Sequence, residues 1–305
     1  MRIVFFGIYE IGLRALEAMH AGGLPIAAVV TKPDIEFEKQ PVASVAARMA
    51  LPTLQPGSPK NPEFLGVMRE LAPDLIVVAG YHRIIPAELL RLPARGTINL
   101  HGSMLPKYRG PCTWKWAIMN GETTTGVSVH YMKRELDAGD VLAQRPIVIA
   151  PDDTGGTLFS KISVAGASLL VETILAMARG DVQARAQDER EASYFGYPSD
   201  EEARINWTAP SPRIANLVRG LLPSPRAWSR LAGNRVEFHG IADLGFVSSA
   251  PPGTIVAQSS TGLDVATGSN VVRLLLGDGV IAKAVAVGAR FETEDGAVDR
   301  SVTPA

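Results

Sequence analysis

The sequence predicts an α/β fold, with a doubly wound, mostly parallel sheet in the first part of the chain and a small β-barrel in the last part. Short apolar runs alternate with helix-length stretches, as in strand–helix–strand units. The stretch 74–79 is apolar after its first residue, as expected for a strand buried on both faces. After residue 222, short strand-like runs are separated by Gly, Pro, Asn and Ser, which favours a barrel. We therefore predict two domains, 1–203 and 204–305.

The opening of the chain is predicted to form a strand, a turn and a helix. The run over residues 2–6, which is apolar after Arg2, is followed by Gly7 and by apolar residues at helical spacing as far as Met19. Neither a P-loop nor a G-x-G-x-x-G motif is present, so we expect Gly7 and Gly12 to serve tight packing of strand against helix. The elements predicted next are a strand over 25–30, helices over 42–49 and 65–71, and a strand over 74–79.

The remaining elements continue the alternation and then change to short strands. Up to residue 179 we predict a loop over 80–86, a short helix over 86–92, a strand ending at His101, a helix over 113–119, strands over 125–132 and 141–149, and an amphipathic helix over 155–179. A polar segment over 183–193 and a crossing segment over 194–207 follow. The last part holds a helix over 214–222, strands over 235–239, 253–257, 262–266 and 271–276, and a frayed tail over 297–305.

Composition and charge exclude several classes of protein. The formal net charge is −1 at pH 7, so no global attraction to nucleic acid or to an anionic membrane is expected. Cys112 is the single cysteine, which excludes an internal disulfide and a site of several thiolates. No signal peptide is expected at the start, and apolar runs such as 75–79 are too short to span a bilayer. We predict a cytoplasmic protein without a membrane partner; the sequence leaves the oligomeric state open.

The stretch 97–110, T-I-N-L-H-G-S-M-L-P-K-Y-R-G, carries the strongest functional signal. Apolar and polar residues alternate at its start, so Asn99 and His101 should point to the same side of a strand. An amide donor beside a titratable imidazole can act on one carbonyl group. Gly102 lets the backbone leave the sheet, at the carboxyl end where α/β sheets bind their ligands.

Two motifs carry a resemblance to a known family. The run N-L-H-G-S-M-L-P-K-Y-R-G resembles the signature of the folate-dependent formyltransferases, which include methionyl-tRNA formyltransferase and the sugar-amine N-formyltransferases. Downstream, L-D-A-G-D over 136–140 resembles the catalytic-aspartate loop of that family. The resemblance runs in order over about 1–207 and more weakly to the C-terminus. It implies a Rossmann-like catalytic domain, a C-terminal OB-like barrel and transfer of a formyl group to an amine.

The resemblance also implies a donor and a set of site residues. The donor is 10-formyltetrahydrofolate, no metal is required, and the catalytic residues are Asn99, His101 and Asp137. Asn99 and His101 would donate to the formyl oxygen, while Asp137 would orient His101 and favour its imidazolium form. The residues implied for the folate pocket are Gly80, Tyr81, His82, Arg83, Ile84, Ile85, Leu136, Ala138, Gly139 and Asp140. Those implied for the acceptor are Ser103, Met104, Leu105, Lys107, Tyr108, Arg109, Gly110 and Trp114.

Several alternatives remain open at the level of sequence. Asp140 is the second candidate for the catalytic carboxylate. His82 is expected to line the folate pocket, and His130 is expected to face away from the site. A Ser-His-Asp hydrolase would use Ser103, but no serine lies in a G-x-S-x-G elbow. The histidines show no metal-ligand spacing, and an inactive folate-binding module is the non-enzymatic alternative.

The acceptor is predicted from charge. Gripping RNA requires clustered Lys and Arg. Residues 204–305 carry ten Lys and Arg against eight Asp and Glu, and the segment 31–44 is net negative by one. The main prediction is therefore a small-molecule amine, a nucleotide-linked amino sugar, with no nucleic-acid partner. Methionyl-tRNA and another biosynthetic amine such as hydroxyornithine are the alternatives, and the arginines between 213 and 235 could still form a local basic patch.

Overall fold

A computed structural model describes residues 1–33, 41–260, 262–277 and 285–292. The chain divides into two compact units. The first comprises Met1–Thr113, Thr124–Val148 and Phe159–Phe195, and the second comprises Trp114–Thr123, Ile149–Leu158 and Gly196–Ala305. The predicted domains, 1–203 and 204–305, stay a prediction, because a compact unit need not coincide with a separately folding domain. Half of the charged segment at 31–44 and the whole predicted tail lie outside the described residues.

A seven-stranded sheet forms the centre of the first unit. Its strands are β1 (Ile3–Gly7), β2 (Ile26–Val30), β3 (Thr53–Leu54), β4 (Leu75–Ala79), β5 (Thr97–His101), β6 (Thr124–Tyr131) and β7 (Val141–Val148). They lie in the order β3-β2-β1-β4-β5-β6-β7, with the first five parallel and the last two antiparallel. The predicted doubly wound, mostly parallel sheet is confirmed. Only β3 lacks a predicted counterpart here, since two residues are too short to produce a periodic signal.

Helices connect these strands. Up to residue 179 they are α1 (Tyr9–Ala21), α2 (Pro41–Arg48), α3 (Pro62–Leu71), α4 (Ala87–Arg91), α5 (Thr113–Met119) and α6 (Gly155–Arg179). A side chain on Gly12 would lie 3.0 Å from the carbonyl oxygen of Ala79 and 3.0 Å from Gly7. This confirms the expected role of Gly7 and Gly12 in close packing of α1 against the sheet.

The helix α6 is long and apolar enough to span a membrane by length and composition, and it is the one such helix among the described residues. Half of its most apolar stretch is buried in the protein. A side chain on Gly166 would lie 2.9 Å from the side chain of Leu100, so the helix passes directly over β5. Its apolar face is thus covered by the sheet that carries Asn99 and His101, as in a core helix.

The second unit contains α7 (Ser211–Leu221) and a five-stranded antiparallel sheet. The strands are β8 (Trp228–Leu231), β9 (Asn234–Asp243), β10 (Ile255–Gln258), β11 (Gly262–Ala266) and β12 (Val271–Leu276), in the order β10-β11-β12-β9-β8. Trp207 and Phe291 stack in its core with ring centroids 5.0 Å apart. The predicted short strands are confirmed and form an antiparallel sheet, with β8 as an additional strand that the sequence pattern does not predict.

Candidate active site

The strand β5 presents its polar residues at the carboxyl end of the sheet. Asn99 pairs with His130 of β6 in register, and His101 pairs with Ser128. On the other side, β4 ends at Ala79 beside Leu100, so the loop at 80–85 leaves the sheet at the same level. Three chain segments therefore meet at one edge of the sheet, in the region where doubly wound folds bind ligands.

Asp137 lies in the connection between β6 and β7 and faces both imidazole rings. Its Oδ2 atom is 3.6 Å from Nδ1 of His101, and its Oδ1 atom is 3.6 Å from Nε2 of His130. Gly110 donates its backbone N–H to Asp137 Oδ2 at 2.9 Å. Asp137 has a φ of +50°, a left-handed conformation that Asp tolerates better than most residues. The structure thus brings Asn99, His101 and Asp137 to one place, and their catalytic role stays a prediction.

The prediction that His130 faces away from the site is wrong. Nε2 of His130 lies 3.3 Å from the Asn99 amide nitrogen, and the His130 ring meets the His101 ring edge to face at 6.1 Å. Residues directly opposite each other in an antiparallel pair project from the same face of the sheet. The register between β5 and β6 therefore places His130 beside Asn99. Alternation in β6 shows that Ser128 and His130 share a face, but only the register shows which one.

Burial lowers the pKa of His130 to about 4, although the Asp137 carboxylate favours the protonated ring and opposes this effect. The side chain is 1% exposed. Its Nδ1 atom donates to the backbone carbonyl of Tyr131 at 2.8 Å. His130 is therefore a neutral imidazole at neutral pH, with its Nε2 lone pair directed into the site.

Stability should fall with acidification in a way that depends on His130. Above the ordinary pKa of 6.5 the side chain is neutral in both the folded and the unfolded chain, so it has no effect there. Between 6.5 and about 4 the unfolded chain binds a proton that the folded chain excludes, which lowers the free energy of unfolding by up to roughly 3 kcal/mol. Denaturant titrations of the wild type and His130→Gln at several pH values in this window measure the difference.

The variant should lose less stability on acidification than the wild type. His20→Gln, at an exposed position in α1, is the matched control and should retain the wild-type dependence on pH. If the wild type and His130→Gln showed equal dependence on pH, His130 would not be held neutral by the fold.

His101 is buried and bonded to the loop that follows it. Its Nε2 atom donates to the carbonyl oxygen of Tyr108 at 2.8 Å, and the hydroxyl of Ser103 donates to the same oxygen at 3.0 Å. Ser103 also donates to the Lys107 carbonyl at 2.7 Å, so its hydroxyl supports the loop rather than being activated by His101. Both nitrogens of His101 therefore lie beside oxygen atoms, Nε2 beside Tyr108 O and Nδ1 at 3.6 Å from Asp137 Oδ2.

Arg109 is fully buried and connects this loop to a distant segment. Its guanidinium donates to Glu189 at 2.8 and 2.9 Å and to Gln187 Oε1 at 2.8 and 3.1 Å, and it also bonds the hydroxyl of Tyr194. The bond to Glu189 is the largest of the effects that raise the pKa of Arg109. Arg109 therefore holds the loop, and its predicted contact with the acceptor stays untested.

Gln187 completes the support of the catalytic loop. Its Nε2 atom donates to the backbone carbonyls of Asp137 and Gly139, both at 2.7 Å, while its Oε1 atom accepts from Arg109. Sequence reasoning misses Gln187 and Glu189, because they lie in a polar segment about fifty residues from Asp137. A polar segment without periodicity carries no local signal that distinguishes an anchor from a linker.

The loop predicted to bind folate has a defined backbone and mixed exposure. Gly80 has a φ of +71°, and a side chain there would lie 2.7 Å from Ile11, so only glycine suits this turn. Tyr81 packs edge to face on Phe6 at 5.3 Å, and burial raises its pKa. Ile84 is 82% exposed. The other members are His82, which is exposed, Arg83, which bonds the Gly57 carbonyl, and Ile85, which is buried.

The other residues predicted for the folate and acceptor sites differ in their exposure to solvent. Asp140 binds Lys133 at 2.8 Å, so it does not replace Asp137 beside the histidines. In the Asp137 loop Leu136 is exposed, Ala138 is half-buried and Gly139 is buried. In the signature loop Met104 and Tyr108 are half-buried, Leu105 and Gly110 are buried, and Lys107 is exposed. Trp114 belongs to the second unit, and its predicted contact with the acceptor stays a prediction.

The described part of the chain contains no cluster of side chains that could bind a metal ion. No group of three or more His, Cys, Asp and Glu side chains there could hold a metal ion. The site consists instead of an amide, two imidazoles and a carboxylate, which can donate to an oxygen and accept a proton.

The sequence and the fold both have known relatives. Residues 1–174 match the family described as Formyl transferase, and residues 199–278 match its C-terminal domain. A methionyl-tRNA formyltransferase from Caldanaerobacter subterraneus subsp. tengcongensis is 39% identical over 282 residues, covering 90% of this chain and 91% of the relative. Another from Desulfotalea psychrophila is 37% identical over 277 residues, covering 88% and 85%.

A solved structure shares the fold. An N-formyltransferase from Helicobacter canadensis, in complex with folinic acid and dTDP-3-aminofucose, superposes with a TM-score of 0.70 at 17% identity, covering 90% of this chain and 98% of that one. At that identity the likeness concerns the fold alone. The family assignment comes from the sequence matches, which agree with the two motifs at 99–110 and 136–140. The chain therefore belongs to the formyl transferase family.

Proposed function

We propose that this enzyme transfers the formyl group of 10-formyltetrahydrofolate to the α-amine of methionyl-tRNA. The assignment of the acceptor rests on the similarity of nearly the full chain to proteins named methionyl-tRNA formyltransferase, at 37–39% identity. The sugar amine, our main prediction from sequence, has weaker support. It rests on a structural relative at 17% identity.

The loop at 80–85 suits a folate ring in composition. It offers an exposed isoleucine, and the hydroxyl of Tyr81 is buried without a hydrogen-bond partner in the described part of the chain. A buried polar atom of this kind is satisfied when a ligand supplies the missing partner. When bound, 10-formyltetrahydrofolate supplies an activated formyl group to the site.

The chain's own residues account for the remaining chemistry. As the amine attacks the formyl carbon, the formyl oxygen gains negative charge and needs a donor aimed at it. The Asn99 amide carries two N–H groups; one is directed to His130, and we assign the other to the formyl oxygen. The attacking amine must also lose a proton, and the folate nitrogen must gain one as its bond to the formyl carbon breaks. The adjacent pair of His101 and Asp137 provides the route for that proton.

A cluster of arginines in the second unit supports an RNA acceptor. Arg204, Arg230 and Arg235 surround the ring of Trp228, with their guanidinium carbons 5.5, 5.7 and 4.4 Å from its centroid. Asp200 and Glu237 pair with Arg235, and Glu292 lies 3.9 Å from Arg204, so carboxylates offset most of the positive charge of the cluster. Arg230 and Arg235 belong to the stretch 213–235 in which the sequence allows a local basic patch, and phosphate groups are the partners that such arginines would bind.

A competition assay tests the acceptor. Methionyl-tRNA and a nucleotide-linked amino sugar are offered together with 10-formyltetrahydrofolate at low and high salt. We expect methionyl-tRNA to have the higher kcat/KM, with a steep loss at high salt because phosphate contacts release counterions. Arg230→Ala should reduce formylation of methionyl-tRNA, whereas Arg179→Ala, an exposed arginine in the first unit, is the matched control.

Efficient formylation of the sugar together with slow formylation of the tRNA, insensitive to salt, would contradict this acceptor. The donor is checked separately. Binding of 5-formyltetrahydrofolate should raise Tm by mass action even if the acceptor assignment fails.

A further inference from the structure

We propose that His130 is a positioning residue that fixes the orientation of the Asn99 amide for catalysis. The proposal rests on the proposed function, because it assigns His130 a part in the same formyl transfer. The group that carries it is the buried His130 with its half-buried neighbours Asn99 and Asp137, together with the backbone carbonyl of Tyr131.

The hydrogen bond to Tyr131 decides which ring nitrogen of His130 is an acceptor. A carbonyl oxygen can only accept, so Nδ1 of His130 carries the proton at this 2.8 Å contact. In the neutral ring, Nε2 then has a lone pair and no proton. Because the residue is 1% exposed, water does not compete for that lone pair.

The Nε2 lone pair in turn decides how the amide of Asn99 is oriented. The amide nitrogen lies 3.3 Å from Nε2, a distance at which its N–H can donate. Rotation of the amide by 180° would place Oδ1 against a lone pair in a buried site, which is unfavourable. His130 therefore selects one of two amide orientations that are otherwise nearly equivalent in shape. The selected one keeps an N–H, rather than a carbonyl, available for the formyl oxygen.

The same ring also faces the carboxylate of Asp137 at 3.6 Å. A neutral ring leaves that carboxylate to His101, whose Nδ1 is at the same distance from its other oxygen. An apolar side chain of similar volume could fill the space, but it could not accept a hydrogen bond from Asn99. This separates a positioning role from simple packing.

The test compares two replacements of His130 in the full chain. His130→Leu retains the bulk and removes the acceptor, whereas His130→Gln can place an amide oxygen close to the former Nε2 position. We expect His130→Leu to lower kcat about 10- to 100-fold with KM for donor and acceptor nearly unchanged, as for a small misplacement of a catalytic group. We expect His130→Gln to recover most of that loss. His20→Leu, at an exposed histidine, is the control and should leave kcat unchanged.

A second measurement separates positioning from general damage. In an Asn99→Ala background, His130→Leu should cause little further loss of kcat, because the group that it positions is already absent. An equal further loss in that background, or no recovery by His130→Gln, would overturn the proposal. If His130→Leu does not fold, His130→Asn, which is too short to reach Asn99, takes its place. A full effect of His130→Leu with no effect of Asn99→Ala would refute both the catalytic assignment of Asn99 and the positioning role of His130.

Discussion

Replacing His101 with alanine is expected to lower kcat about 100- to 1000-fold, the range measured when one group that stabilises the developing charge is lost. Nδ1 of His101 lies 3.6 Å from Oδ2 of Asp137, and His101 is two residues after Asn99 on the same strand, so both side chains project from one face. Its loss removes the proposed proton route together with the hydrogen bond from Nε2 to the Tyr108 carbonyl. Folding should suffer much less, because the Tyr108 carbonyl retains the hydrogen bond from Ser103. Steady-state kinetics under saturating donor, with Tm measured in parallel, check both expectations.

The comparison needs a histidine replacement outside the site. His20→Ala removes an exposed histidine of α1 and should leave kcat at the wild-type value. Near-normal turnover by His101→Ala would remove the mechanism proposed above. A loss of activity that followed a comparable loss of Tm would instead show that His101 serves the fold.

Replacing Gly139 with alanine is expected to lower kcat strongly and also to destabilise the protein. A Cβ atom at residue 139 would overlap the carbonyl oxygen of Tyr131, and backbone cannot rotate aside as a flexible side chain can. Tyr131 is held in turn by its N–H bond to the Asp140 carbonyl at 2.9 Å. The loop must therefore move, and Asp137 moves with it. We expect kcat to fall about 100-fold or more, as for a misplaced catalytic group, and the free energy of unfolding to fall by roughly 3 kcal/mol.

Gly66 offers the matched control, because a side chain there would meet nothing within 4 Å. Gly66→Ala lies in α3 and should raise the free energy of unfolding by about 0.5–1 kcal/mol with kcat unchanged. Urea denaturation and kinetics on both variants make the measurement. A fully active and stable Gly139→Ala protein would show that the loop can relax without displacing Asp137.

Much of the fold follows from local sequence, and the site follows from it only in part. Alternation along β5 is a local property, so the common face of Asn99 and His101 is predictable. The position of His130 depends on the register between two strands, which no local pattern encodes. Gln187 reaches Asp137 across fifty residues, so its role is visible only in three dimensions. Asp137 itself is recognised through its motif, since a lone Asp near a glycine is usually a turn residue.

The prediction of the acceptor from sequence is limited for a different reason. Net charge is an average over a whole segment, and the near balance of charges over 204–305 argues against RNA. Arg204, Arg230 and Arg235 nevertheless gather around one ring, because β8 pairs with β9 and Arg204 forms a separate backbone bridge with Trp228. The net charge of a segment contains no information about where its charged side chains lie in the folded protein.

The anchoring of Asp137 by Gln187 bears on what a minimal catalytic fragment would have to contain. The match to the N-terminal family domain ends at residue 174 and includes all three proposed catalytic residues. The side chain that holds the Asp137 backbone lies beyond that limit, as does Glu189, the main partner of Arg109. A fragment cut at the limit of the family match would keep every reacting group and lose the support that sets their spacing. For dissection or transplantation of this activity, the smallest useful piece therefore extends at least through Tyr194.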